Sequence, residues 1–257
     1  MVREARERSE SGIYHIVLRG INRQDIFYDD DDRLRFLETL DRKKKGQLFE
    51  IYGYCLMTNH VHLLFRENRD TISRTMSRVG TSYAKWYNLK YMRSGHLFQG
   101  RYGSECIEDD QYLLTVTRYI HNNPVKAGMV ARPELYRWSS IHSYYGNTEY
   151  PIGLTQSDFV LEMINHQRQE AIRSFQEFMN QDNEDKCLDD EISIRKTDAE
   201  VKAEIEALMN GEPIGRLQSL EKNRRTEIIR TIKASDGITQ RQIARVTGLS
   251  CNIVFKT

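Results

Sequence analysis

The chain lacks the marks of a membrane or secreted protein. No apolar run approaches the length of a membrane span, and the segment Met1 to Ser11 is charged throughout, with no apolar stretch of the secretory kind, so a cytoplasmic protein is expected. Its four cysteines, Cys55, Cys106, Cys187 and Cys251, form no CxxC pair. That excludes a zinc ribbon or a disulfide framework and leaves ordinary reduced thiols. Acidic residues are missing altogether from positions 71–104. A net charge of +1 conceals this segregation: Lys and Arg number 23 against 19 acids in residues 1–150, 6 against 15 in 151–212, and 9 against 3 in 213–257. Two basic modules thus flank an acidic middle, and the basic ones are the candidates for touching phosphates. With 39% hydrophobic and 29% charged residues the chain has material for a core and a solvated surface, which excludes wholesale disorder.

Periodicity then supplies the elements. Tyr14 to Gly20 is a β-branched and aromatic run that reads as a strand. Residues 29–46 begin with acids, set Leu34, Leu37 and Leu40 on one side and end in three lysines and Gly46, the signature of a capped helix. Phe49 to Met57 and Val61 to Arg66 read as a hairpin turning at Thr58 and Asn59. In residues 71–92, Ile72, Met76, Val79, Tyr83 and Trp86 recur at helical spacing. A strand over Tyr102 to Ile107 and a helix from Asp109 to about Asn123, where Pro124 is expected to end it, complete the set. The order is that of an α+β, ferredoxin-like split βαββαβ fold, an antiparallel sheet with an added helix. Residues 151–212 are expected to be an acidic connector, most solvated over 180–200. A small all-α unit over 213–257 follows, with a helix ending near Asp236, a second from Thr239, and a Thr247-Gly248-Leu249-Ser250 turn into a third. That is helix-turn-helix spacing, whose last helix commonly enters a DNA groove.

Three features carry chemistry. His60 and His62 flank Val61 on a predicted strand, so alternation puts both imidazoles on one face, where they could share a divalent ion or form a partly buried polar pair. On the third helix Tyr119 and Asn123 are four residues apart. Leu113, Val116 and Ile120 define the core side, which leaves Tyr119 on the flank, held by packing yet open to substrate. Arg74, Arg78, Lys85, Lys90, Arg93 and Arg101 alternate with Tyr83, Trp86, Tyr87, Tyr91, Phe98 and Tyr102, a mixture suited to a phosphate backbone with unpaired bases, although Tyr83 and Trp86 belong to the core.

Four segments together resemble one family: Tyr14-His15-Ile16 with Arg19-Gly20-Ile21-Asn22-Arg23, then Met57-Thr58-Asn59-His60-Val61-His62, Phe98-Gln99-Gly100-Arg101-Tyr102, and Arg118-Tyr119-Ile120-His121-Asn122-Asn123-Pro124-Val125-Lys126-Ala127-Gly128. The chain resembles the HUH single-tyrosine transposases, and within them the REP-associated tyrosine transposases of bacteria, over about residues 1–150. Members often have proline where this chain has Thr58. The resemblance implies a catalytic domain over 1–150, Tyr119 as nucleophile, and His60, His62 and Asn123 as ligands of Mg²⁺ or Mn²⁺. It also implies cleavage and rejoining of single-stranded or hairpin DNA, commonly of palindromic repeats, through a 5′-phosphotyrosine, by a monomer or homodimer. The candidate DNA contacts are Arg19, Asn22, Arg23, Arg74, Arg78, Lys85, Arg101, Tyr102, Arg118 and Lys126, with Arg241 and Arg245 in the C-terminal unit. Two other readings use the same residues: a non-catalytic DNA- or RNA-binding regulator, and a metallohydrolase that activates water at the two histidines. Tyr102 and Tyr112 are alternative nucleophiles, neither four residues from Asn123.

Overall fold

A computed structural model describes residues 7–183, 185, 187, 188, 196–235 and 237–256. The chain divides into two compact units, residues 1–188 and 189–257. In the first, four strands form one antiparallel sheet in the order β2-β3-β1-β4. The strands are β1 (Ile13–Arg19), β2 (Phe49–Leu56), β3 (His60–Glu67) and β4 (Gly103–Ile107), interleaved with helices α1 (Asp30–Lys44), α2 (Ile72–Lys90) and α3 (Asp110–Lys126). Both the connectivity and the strand order are ferredoxin-like, as the sequence pattern predicts.

Alternation along each strand sorts the side chains into two cores. Tyr14, Ile16 and Leu18 of β1 and Val61, Leu63 and Phe65 of β3 face α1 and α2, whose Phe36, Leu37, Leu40, Met76, Val79 and Tyr83 close that layer. On the opposite face Ile13, Leu64 and Ile107 meet Leu113, Val116, Tyr119 and Ile120 of α3. A bulge in β2 between Ile51 and Gly53 makes room for this second layer. A methyl group on Gly53 would sit 3.5 Å from Ser140 Oγ and 3.7 Å from His121 Cε1, so the added helix comes close over the bulge.

Local signals fix the helix ends. Asp29 accepts from Asp32 N–H, and Asp32 returns the bond to Asp29 N–H, a capping box that stabilises α1 by about 1 kcal/mol. Helix α3 does not stop at Pro124 as expected. It runs through the proline to Lys126, and the terminator is Gly128, at φ 68°, with Gly128 N–H bonding Val125 O and Met129 N–H bonding Pro124 O, both at 2.9 Å. Pro124 forfeits one bond to Ile120, and the glycine closure holds the last turn around it. Asn123 is therefore helical, and stands one turn from Tyr119 on the same side.

The expected connector over 151–212 is divided between the units. Helices α4 (Ile141–Tyr144), α5 (Ser157–Ile164) and α6 (Arg168–Met179) extend the second core with Tyr144, Val160, Leu161, Ile172 and Phe175. The acids of this region suggest solvation, yet its apolar residues recur at helical spacing and are buried. Of the solvated stretch expected over 180–200, positions 184, 186 and 189–195 lie outside the described residues. In the second unit, α7 (Asp198–Leu208), α8 (Lys222–Ala234), α9 (Gln240–Thr247) and α10 (Cys251–Lys256) bury Val201, Ile205, Ile229, Ile232, Ile243 and Val254 together. Thr239 caps α9, and Gly248 in the left-handed region turns the chain into α10. The unit thus starts earlier than residue 213, because its short helices require the Val201–Ile205 stripe of α7 to cover them.

Candidate active site

The sheet face that carries α3 also carries the two histidines. His60 opens β3 and His62 follows two residues later, with ring centroids 4.9 Å apart and planes at 81°. The turn before them is built by hydrogen bonds rather than by proline. Asn59 O accepts from Gly20 N–H at 2.9 Å, Asn59 Nδ2 donates to Arg23 O at 3.1 Å, and Asn59 Oδ1 lies 2.6 Å from His60 Nδ1. Thr58 O accepts from Ile26 and Phe27 N–H, contacts a proline at that position could still make. Gly20 is required here, since an added Cβ would lie 2.1 Å from Gln24 O. The segment Gly20 to Gln24, with Asn22 and Arg23 at positive φ, is thereby locked against the first histidine.

His62 sits in a line of polar groups that only strand register brings together. Its Nδ1 is 3.0 Å from His15 Nε2, and the rings stack at 5.3 Å. His15 Nδ1 in turn lies 3.4 Å from Glu105 Oε2, and Tyr112 donates its hydroxyl to Glu105 Oε1 at 2.6 Å. His15 and His62 are both fully buried. Register explains the grouping: His15 pairs with Glu105 across β1 and β4, while Val17 pairs with His62 across β1 and β3. Burial, with His60, His15 and Arg19 close by, pushes the His62 pKa well below its ordinary value, so its imidazole is neutral, the form that ligates a cation. Burial would raise the Glu105 carboxyl, but hydrogen bonds from His15, Tyr112 and Leu188 N–H prevail and lower it. Burial and the bond to Glu105 raise the Tyr112 phenol. Tyr112 is thus a protonated donor, poorly suited to be a nucleophile.

Tyr119 meets the same cluster from α3. Its ring centroid is 5.9 Å from His62 and 6.0 Å from His15, edge-on to both. The expected open flank is not found: Tyr119 is 2% exposed. The physical reason lies in its surroundings. The Lys126 ammonium stands 4.7 Å from the ring centroid and bonds Asp185 O at 2.8 Å, and Leu188 N–H reaches Glu105 at 3.3 Å. Arg118, expected to meet DNA, is buried instead. It bonds Asp185 through Nε and Nη2 at 2.7 and 3.0 Å and lies 4.1 Å over the Phe178 ring. Asn123 is 9% exposed on the turn after Tyr119. Among the described residues no group of three or more His, Cys, Asp or Glu side chains converges, so an ion at the two imidazoles would need an amide, phosphate or water oxygen to fill its shell.

The other expected contacts fall into three places. Arg19 ends β1 opposite His60, beside Asn22 and Arg23. On α2, Arg74 and Lys85 are exposed, as is Arg101, whereas Arg78 bonds Asp70 at 2.7 Å. Lys85, Arg101, Phe98 and Tyr102 line a cavity of about 590 Å³ between α2 and the segment that follows it. Tyr102 is itself buried and bonds Ser73 Oγ, on the sheet face away from the histidines, which removes it as a nucleophile beside them. Tyr83 and Tyr87 belong to the core, and Lys90 is held by Asp29 and Asp32 at 2.8 Å. The acid-free stretch is therefore partly neutralised by the N-terminus of α1. In the second unit Arg241 and Arg245 are exposed on α9, and Arg245 bonds Asp198.

The sequence profile described as "Transposase IS200 like" matches residues 9–123, which span every strand and both imidazoles as well as Tyr119 and Asn123. Over these residues the chain is similar to the IS200-like transposases. Among solved structures, a REP-associated tyrosine transposase bound to a REP hairpin is 20% identical, with a TM-score of 0.48, over 62% of this chain and 90% of that one. A crystal structure from Deinococcus radiodurans R1, provisionally assigned as a transposase, is 17% identical, with a TM-score of 0.33, over 47% of this chain and 97% of that one. No curated protein matches significantly. Among the described residues no helix is long and apolar enough to cross a membrane.

Proposed function

We propose that this chain is an IS200-like transposase that cleaves and rejoins single-stranded or hairpin DNA through a phosphotyrosine at Tyr119. The observation that carries the reading is the edge-on contact of Tyr119 with His62, the imidazole next to His60, on one face of the sheet. In the reaction the Tyr119 hydroxyl oxygen bonds the scissile phosphorus, the bond from phosphorus to the 3′ oxygen breaks, and the phenolic proton passes to solvent while the 3′ oxygen takes one up. The 5′-phosphate stays on the tyrosine. Rejoining reverses the exchange and conserves the ester energy, so no nucleotide cofactor is required.

His60, His62 and Asn123 are proposed to hold Mg²⁺ or Mn²⁺. The donor chemistry fits: His62 is neutral, one of its nitrogens is taken by His15, and Asn123 is brought to the Tyr119 side by the unbroken α3. When bound, such an ion neutralises charge on the non-bridging oxygens of the phosphate. Arg19, Asn22 and Arg23 border the histidines and are proposed to position the backbone, while Lys85 and Arg101 at the α2 groove would take further phosphates.

The burial of Tyr119 favours a second reading, a DNA-binding regulator on the same fold. A hairpin oligonucleotide with Mn²⁺ decides between them. The enzyme yields a covalent protein–DNA adduct and a free 3′-hydroxyl, both lost in Tyr119→Phe. A regulator binds DNA equally well as wild type and as Tyr119→Phe, and gives no adduct. Cleavage that survives Tyr119→Phe would point to water as nucleophile instead.

A further inference from the structure

We propose that the cavity between α2 and the segment after it takes one unstacked base of single-stranded DNA, with the neighbouring phosphates on Lys85 and Arg101, an inference that rests on the DNA reading above. The cavity exists because of the residues that face it. Ser73, Ser77, Gly80, Thr81 and Ala84 recur at three- and four-residue spacing on α2, and their short side chains leave a space of about 590 Å³ that larger ones would fill. That volume lies within the roughly 300–1,000 Å³ of sites for small organic groups. Apolar and aromatic side chains form the interior. Phe98 stands beside Gly80, where an added Cβ would come within 3.8 Å of its ring, and Tyr102 is held at one wall by its hydroxyl bond with Ser73 Oγ at 3.1 Å. Leu18, Met76 and Leu97 are buried behind them.

A ring-lined interior with exposed cations beside it suits a base joined to phosphates. Lys85 and Arg101 are exposed, and among the described residues no acidic side chain lines the cavity. Bases stack on aromatic side chains while basic groups track the backbone between them. Shape excludes a paired nucleotide, whose faces are covered by its neighbours in the stack, so only an unpaired one can enter. The Ser77 and Thr81 hydroxyls at the lip both donate and accept, which predicts little preference among the four bases. The position of the cavity links it to the candidate active site. Leu18 lines it, and the next residue, Arg19, pairs with His60. Gln99 N–H donates to Arg19 O at 2.8 Å and Ile21 N–H to Leu97 O at 2.9 Å, so the cavity wall is sewn to the loop that borders the histidines. Cavity and histidines thus occupy opposite faces of one end of the sheet, where a single strand can engage both.

The test is equilibrium binding of the full chain to a hairpin oligonucleotide with single-stranded flanks, read by fluorescence anisotropy in chelator so that no cleavage intervenes. An abasic residue moved along the flanks keeps every phosphate and removes one base at a time. At one flank position affinity should fall about 5- to 150-fold, the worth of one base on an aromatic platform. Ser77→Leu with Thr81→Leu fills the cavity from exposed positions. With an unchanged urea midpoint, this double variant should bind the intact oligonucleotide about as weakly as wild type binds the abasic one, and show no further loss with the abasic one. Iodouracil at the same position needs no variant: on irradiation it should join the tryptic peptide from Ser94 to Arg101, which carries Phe98. Equal affinity at every abasic position, a stable filled variant that binds as wild type does, or a cross-link confined to peptides without a cavity residue overturns the site and leaves DNA binding standing. Wild-type protein that binds neither oligonucleotide overturns the DNA reading and the site with it.

Discussion

Asp185→Ala should be among the most destabilising single changes in the first unit, although it lies on a segment with no regular structure. The carboxylate holds Arg118 in two hydrogen bonds, with side-chain exposures of 11% for Arg118 and 10% for Asp185. At about 4 Å and an effective dielectric near 20, the attraction is about 4 kcal/mol. Removing the acid strands a guanidinium stacked on Phe178, with Phe178 O as its remaining bond among the described residues. Loss of one partner of a buried pair costs about 3–5 kcal/mol, and partial access to water places this case near 3. For a unit of this size that is about 6–12 °C in Tm. Both tryptophans, Trp86 and Trp138, lie in the first unit, so fluorescence-monitored urea unfolding reports it alone. The double variant Arg118→Met with Asp185→Leu should recover most of the loss, since the desolvation penalty goes with the charges. A wild-type midpoint for Asp185→Ala would refute the claim that this pair is buried and matched.

Other perturbations test separate parts of the account. Gly20→Ala should destabilise by about 2 kcal/mol or more through the clash with Gln24 O, whereas Gly46→Ala, at φ 81° with no neighbour within 4 Å, should cost about 1–2 kcal/mol of backbone strain alone; urea midpoints compare them. The Lys90 ammonium beside Asp29 holds its carboxyl below the ordinary 3.8. Its contribution is therefore present above that value and lost as pH falls through the lower folded one, and Asp29→Asn should remove that part of the acid dependence while keeping the cap. With the Asp29 side chain about half exposed, the pair should account for no more than about 1 kcal/mol. Gly248→Ala, at φ 69° with Gln218 Nε2 at 2.8 Å from the new Cβ, should loosen the second unit's turn and lower a circular-dichroism transition, yet leave the tryptophan transition unmoved.

Much of this fold is legible in the chain because its punctuation is local. The acids of Asp29–Asp32, the Thr58–Asn59 turn and the two periodicities place every strand and the first three helices. The misreadings have physical causes. Pro124 reads as a stop until the 128–129 closure is seen to hold the helix around it. The acids of residues 151–212 read as solvation, although Phe175 and Ile172 of α6 are core residues and Val201 of α7 serves a different unit. The site was half legible. His60 and His62 share a face by alternation alone, and Tyr119 follows from spacing to Asn123. His15 and Glu105 join them only through strand register, which a single strand's sequence does not encode. The pairing of Arg118 with Asp185 depends on a contact 67 residues away in sequence, beyond the reach of any local pattern.

The measurement that bears most directly on the central claim is the identity of the residue that carries DNA. Trypsin cuts after Arg101, Arg118 and Lys126, so Tyr119 falls in a peptide with no other tyrosine, while Tyr102 and Tyr112 share the preceding one. After incubation with a hairpin oligonucleotide and Mn²⁺, mass spectrometry should find the nucleotide mass on the peptide from Tyr119 to Lys126. Its appearance on the Tyr102 to Arg118 peptide, or on neither while the oligonucleotide is cut, would contradict the account.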